Sequence, residues 1–322
     1  MRMSCWLTNG RLAAMLCAMV TIWGAVAAEA ACTRRPGIAI VTAAAIGNYN
    51  PFTAAPSVTA AVSITNRGTL NCSISLTFQR ATLPGAMTLA APASSLPYTV
   101  QSGGNTVMSV TGAQPAANQE IVLASVAAGA TVTQTVTVAP TAGVLVASGS
   151  YADNTLNAVV FDSTNFARQR TLAFPVTANV IDVCNLPAPA VASLNFSPAI
   201  SNGIPNAASI QTDSIVNAQC TAPTRVELSG NSLQTAPLGT AHPGFDNFIN
   251  WTATATLGSA TATLTTTGLT ATPAVTSAAK NTATAGTITG TIAIGNVHLI
   301  AGNPILAGAY SSTLTIQIDP SL

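Results

Sequence analysis

Two stretches of the chain, SGSYADNTL at 148–156 and AGAYSSTL at 307–314, share a Gly-x-Tyr motif that is followed by a Thr-Leu pair. Each stretch runs on into alternating apolar and polar residues, which is the pattern of a β-strand with one buried face. A further strand-like run follows the first copy, whereas the chain ends soon after the second. The repeat therefore predicts two related β domains, of which the second lacks a strand that the first has.

The composition favours an all-β chain of two domains. The length of 322 residues allows about two domains of ordinary size. Short runs of period two, such as VTAAVSIT at 58–65 and GTITGTIAI at 286–294, alternate with turn residues, and no stretch has helical periodicity. Only 6% of the residues are charged, which argues against nucleic-acid binding. We predict two immunoglobulin-like antiparallel β-sandwiches, at 31–180 and 181–322.

The first 30 residues have the features of a cleaved secretory signal peptide. Arg2 and Arg11 precede an apolar run at 12–28, which ends in the small-x-small sequence AEA at 28–30. An N-terminal membrane anchor is the alternative, because the run approaches the length that spans a bilayer. Without residues 1–30, eight of the ten Lys and Arg and eight of the nine Asp and Glu remain. We therefore expect a formally neutral mature protein without electrostatic steering.

Four cysteines follow the predicted signal peptide: Cys32, Cys72, Cys184 and Cys220. An even number of cysteines in an exported chain indicates disulfide bonds rather than metal ligands or a catalytic thiol. Three pairings are possible. The similar spacings favour Cys32–Cys72 and Cys184–Cys220, one bond in each domain. Each bond closes a loop of about 40 residues and is worth roughly 3–4 kcal/mol in the chain-entropy description.

The first domain continues beyond the strand that follows its Gly-x-Tyr motif. TLNAVVF at 155–161 is followed by a turn-like stretch at 162–169 and then by an alternating stretch at 171–180. The alternation predicts a strand with one apolar face. We expect this strand to complete the first sandwich with residues of its own chain.

The second domain has the equivalent strand but little chain after it. Leu314, Ile316 and Ile318 lie on one face of TLTIQI at 313–318, and Tyr310 stands at the start of the stretch. A sandwich that lacks its last strand exposes an apolar groove and unpaired backbone groups, which aggregate unless they are covered. An extended strand from another chain fits such a groove, which is donor-strand complementation. The alternative is a second sandwich that is complete with a different number of strands.

Tyr310 has two possible roles in this groove. Its position near a strand start is typical of a tyrosine corner, in which the hydroxyl bonds to backbone. Packing in the core is the alternative. We therefore predict an acceptor groove formed by Tyr310, Leu314, Ile316 and Ile318.

Several of these residues resemble a known family. IGNYNPF at 46–52, LNF at 194–196, the paired cysteines and above all AGAYSSTLTIQI at 307–318 resemble spore coat protein U domains, the subunits of archaic (Csu-type) chaperone-usher pili. The resemblance implies an incomplete immunoglobulin-like fold that a periplasmic pilus chaperone and an outer-membrane usher assemble. It also implies that the next pilus subunit fills the groove with its N-terminal strand.

The resemblance further implies a position in the pilus. Stalk subunits of this family carry their donor strand between the signal peptide and the first cysteine, where this chain has only Ala31. A two-domain chain without a donor strand is similar to the tip adhesin of such pili. We therefore expect an adhesive domain at 31–180 and a pilin domain at 181–322, exported through the periplasm to the pilus tip on the cell surface. Attachment to a host or abiotic surface and biofilm formation would follow.

The cysteines predict which end of the first domain faces outward. Cys184 follows the linker directly, so the cysteine pole of the second domain, the end that carries its disulfide bond, must face the first domain. By the same geometry the cysteine pole of the first domain faces away. The turns predicted there, at 66–70 and 162–169, place Leu70 and Phe166 at the tip. The resemblance implies that such loops make the adhesive contact; the alternative is that Phe166 folds back onto the core.

The sequence offers no pattern typical of an enzyme. His242 and His298 are the only histidines, and neither has the spacing of a zinc site or of a base beside a nucleophile. We predict neither catalysis, nor a metal, nor a cofactor. Alternatives to a pilus subunit are a free secreted or coat-associated β-sandwich and a glycan-binding module. The nearest aromatic patch is FDNFINW at 245–251, whose rings we expect to be mostly core.

Overall fold

The structure is a computed structural model of the chain. It describes residues 31–89, 93–186, 200–207, 210–235, 243–268, 272–274, 286–299 and 303–320, and the predicted signal peptide at 1–30 lies outside them. These residues form strands, turns and irregular segments, so the prediction of an all-β chain is confirmed. A helix long and apolar enough to cross a bilayer is not found in these ranges.

Fourteen strands lie between residues 37 and 180 of the described chain. They are β1 (Gly37–Thr42), β2 (Ala44–Tyr49), β3 (Val58–Thr65), β4 (Cys72–Arg80), β5 (Gly85–Leu89), β6 (Ser94–Ser102), β7 (Asn105–Thr106), β8 (Met108–Val110), β9 (Ile121–Val126), β10 (Thr131–Pro140), β11 (Gly149–Asp153), β12 (Asn157–Asp162), β13 (Asn165–Ala173) and β14 (Val176–Val180).

These strands form a sandwich of two sheets. One sheet has the order β1-β3-β10-β6-β5-β11-β14-β2, with β7 beside β6, and the other has the order β13-β12-β4-β8, with β9 beside β4. All pairs are antiparallel except β14–β2 and β4–β8. Val62 and Ile64 from the first sheet and Leu76 and Phe78 from the second are fully buried at alternate positions. The period-two pattern thus builds one core between the sheets.

A buried ion pair connects β4 of one sheet with β11 of the other in the N-terminal sandwich. The Arg80 guanidinium donates to an Asp153 carboxylate oxygen at 2.7 Å, and the Tyr98 hydroxyl donates to the same oxygen at 2.8 Å. Burial alone would raise the pKa of Asp153. The hydrogen bonds from Thr155 and Tyr98 and the positive charge of Arg80 nevertheless hold that pKa below its usual value.

Twelve strands follow in the described part of the C-terminal half. They are β15 (Cys184–Asn185), β16 (Ile200–Ser201), β17 (Ile204–Pro205), β18 (Gln211–Cys220), β19 (Thr224–Gly230), β20 (Leu233–Thr235), β21 (Phe248–Leu257), β22 (Ala260–Thr265), β23 (Thr272–Ala274), β24 (Gly286–His298), β25 (Tyr310–Ser311) and β26 (Leu314–Pro320).

The C-terminal strands form a second sandwich. One sheet has the order β15-β18-β24-β21-β20-β25, with β22 beside β21, and the other has the order β23-β19-β26. Its core is a separate apolar cluster that includes Val226, Leu228, Trp251 and Ile292. Each sandwich also has its own disulfide bond, Cys32–Cys72 and Cys184–Cys220. These are the two pairs that the cysteine spacings favour.

Thr221 forms hydrogen bonds that connect the two sandwiches. The Thr221 hydroxyl donates to the Ile181 carbonyl at 2.7 Å and accepts the Val183 N–H at 2.9 Å. The Ser148 N–H of the N-terminal sandwich donates to the Thr221 carbonyl at 2.7 Å. Because Thr221 follows Cys220 directly, the cysteine pole of the C-terminal sandwich faces the N-terminal sandwich.

Candidate functional site

The last strands of the N-terminal sandwich form a long hairpin. Residues 149–162 make up its first arm (β11 and β12), and residues 165–180 make up its second (β13 and β14). In one sheet β12 lies between β4 and β13, and in the other β11 lies between β5 and β14. The second arm therefore covers the first along both sheets.

The predicted turn at 162–169 is shorter in the structure, and the strand predicted at 171–180 begins earlier. Only residues 163 and 164 connect β12 to β13. The Asp162 carboxylate accepts the N–H and the hydroxyl of Thr164 at 2.9 and 2.7 Å, which holds the chain in a tight turn. The strand is also interrupted at Pro175, which has no N–H to continue a ladder, and there the chain crosses to the other sheet.

The equivalent strands of the C-terminal sandwich have a partner on one side within the described residues. β25 pairs with β20. β26 pairs with β19 along its whole length, so that Pro320 lies opposite Thr224 and Leu314 lies opposite Gly230. The second side of β26, where β12 has β13, is unpartnered in the described ranges. In the N-terminal sandwich the far side of β14 is formed by β2. Residues 187–199, which follow β15, lie outside the described residues.

Burial differs in the same way between the two sandwiches. Alignment of the Thr-Leu pairs matches Leu156, Ala158 and Val160 with the three predicted groove residues Leu314, Ile316 and Ile318. The first three side chains are fully buried. The groove residues pack against the C-terminal core but are only half-buried. The structure thus brings them together on one face of an edge strand.

Tyr310 and Tyr151 make the same hydrogen bond. The Tyr310 hydroxyl donates to the Leu306 carbonyl at 3.0 Å, and the Tyr151 hydroxyl donates to the Ala147 carbonyl at 2.7 Å. In both cases the acceptor lies four residues upstream, which is the tyrosine-corner geometry. Burial raises the pKa of both hydroxyls. Tyr310 therefore anchors the entry to the edge strand, and its side chain packs against the C-terminal core together with Leu314, Ile316 and Ile318.

Trp251 lies beside Leu314, the first residue of the predicted groove. Its ring packs on Gly230, because a Cβ added to Gly230 would lie 3.0 Å from the Trp251 Cη2 atom. Gly230 is the register partner of Leu314. The other two tryptophans of the chain are Trp6 and Trp23, in the predicted signal peptide. Trp251 is thus a single fluorescent reporter beside the first groove residue.

The cysteine pole of the N-terminal sandwich consists of the Cys32–Cys72 disulfide, the loops at 66–71 and 127–130, and the turn at 163–164. The Cys32 N–H donates to the buried Asp162 carboxylate at 2.7 Å, and the Ser163 N–H donates to the Ser73 carbonyl at 3.2 Å. Residues 149–162 run from the contact with Thr221 to this pole. The pole therefore lies at the end of the sandwich opposite the C-terminal sandwich.

Leu70 is exposed at this pole because a buried side chain shapes its loop. The Asn66 side-chain amide donates to the carbonyls of Leu70 and Val126 at 2.9 and 2.8 Å, and its oxygen accepts the Gly68 N–H at 2.8 Å. These bonds hold both ends of the loop inward and leave Leu70 with 60% of its surface exposed.

Phe166 differs from Leu70. It lies in β13 rather than in a turn, and its ring packs edge-on against the buried ring of Phe161, with the centroids 5.0 Å apart. The side chain is half-buried. Of the two predicted contact residues, Leu70 points into solvent and Phe166 is partly covered by its packing on Phe161.

Five arginines at or beside this pole were not singled out by sequence analysis. They are exposed, and they are Arg34, Arg35, Arg67, Arg168 and Arg170. Their positions are far apart in the chain, and the neutral total charge hides them. The available signals were Arg-Arg directly after the first cysteine and two arginines within the stretch predicted to turn at this pole.

The other candidate chemistry is sparse. The His298 Nδ1 lies 2.6 Å from the Asn296 carbonyl, and His242 lies outside the described residues. No group of three His, Cys, Asp or Glu residues that could hold a metal occurs in the described part of the chain. In the aromatic patch at 245–251, Trp251 is buried, Phe248 is half-buried and Phe245 is 46% exposed. One exposed ring does not form a stacking platform.

No protein-family model matches the chain, and no curated protein matches it. Solved structures resemble it at low identity. The complex of the chaperone CsuC with the tip adhesion subunit CsuE, from the archaic chaperone-usher Csu pili of Acinetobacter baumannii, is 13% identical, with a TM-score of 0.44. That match covers 88% of this chain and 100% of that one.

Two further solved structures cover most of the chain. The CupB6 tip adhesin of Pseudomonas aeruginosa is 11% identical over 89% of this chain and 95% of that one, with a TM-score of 0.29. The CfaE adhesive subunit of the CFA/I fimbria of enterotoxigenic Escherichia coli is 11% identical over 88% and 94%, with a TM-score of 0.35. At these scores the likeness carries no conclusion about function, which has to come from the strand geometry.

Proposed function

We propose that this chain is the tip subunit of a chaperone-usher pilus, with an adhesive domain at 31–180 and a pilin domain at 181–322 that accepts a donor strand. One observation carries the proposal. β12 is covered on its second side by the chain's own β13, whereas the equivalent strand β26 has no such cover among the described residues. The same strand is thus completed internally in one sandwich, and in this proposal a partner completes it in the other.

The N-terminal hairpin is a template for the missing strand. Apolar side chains alternate over five positions from the end of β13, through the link at 174–175 and along β14: Leu172, Phe174, Val176, Ala178 and Val180. The last four are buried. Covering one large apolar side chain contributes about 1.5–3 kcal/mol. A donor strand with apolar residues at every second position therefore fits the groove of Leu314, Ile316 and Ile318.

An exposed apolar edge of this kind explains the proposed partners. Unpaired N–H and C=O groups beside half-buried apolar side chains pair readily with any extended chain, so a free pilin domain aggregates. A periplasmic pilus chaperone protects the edge during export, an outer-membrane usher assembles the subunit, and the next pilus subunit supplies its N-terminal strand. These partners follow from the resemblance to spore coat protein U domains together with the open edge of β26.

The other end of the chain supports the tip position. The predicted signal cleavage leaves Ala31 before Cys32, and Cys32 is fixed through its N–H to Asp162 and through its carbonyl to Arg168. Cys32 is thus part of the folded sandwich and not of a donor strand. The subunit accepts a strand without giving one, and the cysteine pole of its N-terminal sandwich faces outward on the cell surface.

Adhesion is proposed for that pole. Leu70 forms its exposed apolar part and, together with the half-buried Phe166 of β13, contacts a host or abiotic surface, which supports attachment and biofilm formation. Exchange of Leu70 for Ser, with Val110 to Ser on the body of the sandwich as the matched control, tests the contact. Attachment of piliated cells falls in the Leu70 variant and not in the control. Unchanged attachment at normal pilus numbers removes Leu70 from the contact.

The experiment that tests the whole proposal follows Trp251 fluorescence. The mature chain is expressed in the periplasm alone and with its candidate chaperone, and the N-terminal peptide of a candidate stalk subunit is added to the purified complex. We expect soluble protein only with the chaperone, release of the chaperone by the peptide, and a change in Trp251 emission. A peptide with Ser at the alternate apolar positions is the matched control.

The opposite result has a clear meaning. A chain that is a stable monomer when expressed alone, and that responds to neither chaperone nor peptide, has a closed second sandwich. It is then a free secreted or coat-associated β-sandwich protein.

A further inference from the structure

The positive charges of this protein are concentrated at one place. After residue 30 the chain has eight Lys and Arg residues. Five of them, the arginines at 34, 35, 67, 168 and 170, lie at or beside the cysteine pole of the N-terminal sandwich, and all five are exposed. The chain after residue 30, which is formally neutral, therefore has one strongly basic end.

The backbone segments that carry these arginines contact one another. The Arg168 guanidinium donates to the Cys32 carbonyl. The Arg67 side chain lies against Gly37, since a Cβ added to Gly37 would lie 2.7 Å from the Arg67 Nε atom. Arg34 and Arg35 occupy the short segment between these two contacts. Arg170 follows two residues after Arg168 on β13, which lies against β1.

Among the residues that the structure describes, acidic side chains do not balance this charge locally. Asp162 is the acidic residue of the pole; it is fully buried, and its oxygens accept hydrogen bonds from Cys32 and Thr164. Asp153 pairs with Arg80 at 2.7 Å, away from the pole. Mutual repulsion of uncompensated guanidinium groups opposes folding, and a bound polyanion removes that repulsion.

The kind of cation indicates the kind of ligand. All five are arginines, whose planar guanidinium groups bind carboxylate, sulfate or phosphate through two parallel hydrogen bonds. The hydroxyls of Thr33, Thr69 and Thr164 are on exposed residues of the same pole and suit the hydroxyl groups of a sugar. Leu70 offers an apolar surface to the C–H face of a sugar ring.

Nucleic acid fits this pole less well. Reading a DNA groove takes a projecting helix or β-ribbon, whereas the described residues of the pole form short loops and one tight turn. Single strands bind by stacking on exposed aromatic rings. The ring at this pole, Phe166, is half-buried against Phe161.

We propose that the arginine cluster at 34, 35, 67, 168 and 170 binds an acidic polysaccharide through its carboxylate or sulfate groups. The proposal rests on the proposed function for the outward position of the pole. The binding itself is a property of the N-terminal sandwich and needs no assembled pilus. It gives the adhesive end a chemical preference that the apolar Leu70 alone does not provide.

Binding to immobilised heparin, alginate and neutral dextran tests the proposal, with duplex DNA as a competitor. The protein is the mature chain in complex with its chaperone, and the chaperone alone gives the background. Heparin presents sulfate and carboxylate groups, whereas alginate presents only carboxylates. We expect binding to at least one of them and not to dextran. Raising the salt concentration from about 50 to about 200 mM weakens the binding by about a hundredfold if all five arginines contribute.

The variant Arg34→Gln/Arg35→Gln/Arg170→Gln removes three charges and leaves Arg168, which donates to the Cys32 carbonyl, and Arg67, which lies against Gly37. We expect its affinity to fall at least about tenfold and its salt dependence to become shallower. Arg225→Gln is the matched control, because Arg225 is an exposed arginine of the C-terminal sandwich. It keeps wild-type binding, and an unchanged unfolding temperature shows that the triple variant is folded.

Three outcomes overturn the proposal: binding to neither acidic polysaccharide above dextran, unchanged binding of the triple variant, or tighter binding of DNA than of either polysaccharide. Peptide exchange at Trp251 is measured on the same preparation. Loss of polysaccharide binding with normal exchange refutes this inference alone. Normal polysaccharide binding without exchange refutes the pilus assignment alone.

Discussion

The strands β12 and β26 follow the same Gly-x-Tyr motif and hold the same place in their sandwiches, yet their surroundings differ. β12 has β4 on one side and β13 on the other, and its residues from Ala158 to Asp162 are all buried. β26 pairs with β19, and its three apolar side chains are half-buried. An identical local pattern therefore does not decide whether a strand is covered; that depends on the residues available to lie beside it.

The largest effect is expected from opening the covered sandwich. Exchange of Phe174 and Val176 for Ser removes two fully buried side chains, one just before β14 and one at its first residue. Loss of the phenylalanine alone costs about 3–5 kcal/mol, which approaches the whole stability of a typical domain. We expect the N-terminal sandwich to unfold, as judged by near-ultraviolet circular dichroism and protease resistance. The exposed positions Thr171 and Thr177, changed to Ala, serve as the control and retain the fold.

The converse change is to close the open sandwich. A copy of residues 163–180 joined to the C-terminus supplies β26 with a covalent partner. We expect its unfolding, followed by Trp251 fluorescence, to shift by several kcal/mol, because about five apolar positions become covered. The same extension with Ser in place of the residues copied from Phe174, Val176 and Val180 has no stabilising effect. Equal behaviour of the two extensions contradicts an open groove.

A matched pair of leucines compares the two strands directly. Leu156→Ala removes a fully buried side chain and costs about 2–5 kcal/mol, whereas Leu314→Ala costs about half as much, because Leu314 is half-buried. Addition of a donor peptide raises the cost at Leu314 toward that at Leu156. Urea unfolding of each variant with and without peptide measures both values. A cost at Leu314 that does not depend on the peptide places this residue outside the groove.

The two tyrosine corners give a smaller difference. Tyr151→Phe and Tyr310→Phe each remove one hydrogen bond to a carbonyl, and a single bond contributes about 1 kcal/mol. Tyr151 is fully buried and Tyr310 is half-buried, so we expect the loss to be greater at Tyr151. Thermal unfolding of the two variants gives the ranking. The reverse ranking shows that Tyr310 contributes more to the stability of its sandwich than its burial indicates.

The smallest effect is a pH dependence confined to the N-terminal sandwich. The pKa of Asp153 is lower in the folded than in the unfolded protein, so the stability it contributes is present above the unfolded pKa and is lost as the pH falls through the folded one. We expect the unfolding midpoint of this sandwich to fall on acidification below about pH 5, and Asp153→Asn to reduce that dependence. Trp251, in the other sandwich, provides the internal reference. An identical acid response of wild type and variant refutes the assignment to Asp153.

The features that local pattern determines were predictable from the sequence. Alternation of apolar residues located strands such as β3 and β26, and the even, similarly spaced cysteines gave the two disulfide pairs. The turn at 162–169 was predicted too long, because the bonds from Asp162 to Thr164 and the packing of Phe166 on Phe161 are not visible in a run of polar residues. Tertiary contacts decided that strand boundary.

Features that join distant segments could not be predicted from the sequence. The parallel pairing of β14 with β2 unites residues more than a hundred positions apart, and no periodicity encodes it. The arginine cluster likewise depends on bringing Arg34 beside Arg67 and Arg168. The composition after residue 30 indicated only a net charge of zero, because a sum of charges does not depend on where the fold places them.

The contacts of Cys32 also set the order in which the N-terminal sandwich can form. Its N–H and carbonyl partners, Asp162 and Arg168, lie 130 and 136 residues later in the chain. Such long-range contacts make folding slow. During synthesis, almost the whole of residues 31–180 must therefore emerge before Cys32 can meet its final neighbours. Disulfide oxidation to Cys72, which needs far less chain, can thus precede the closing hairpin and leave it as the last step of maturation.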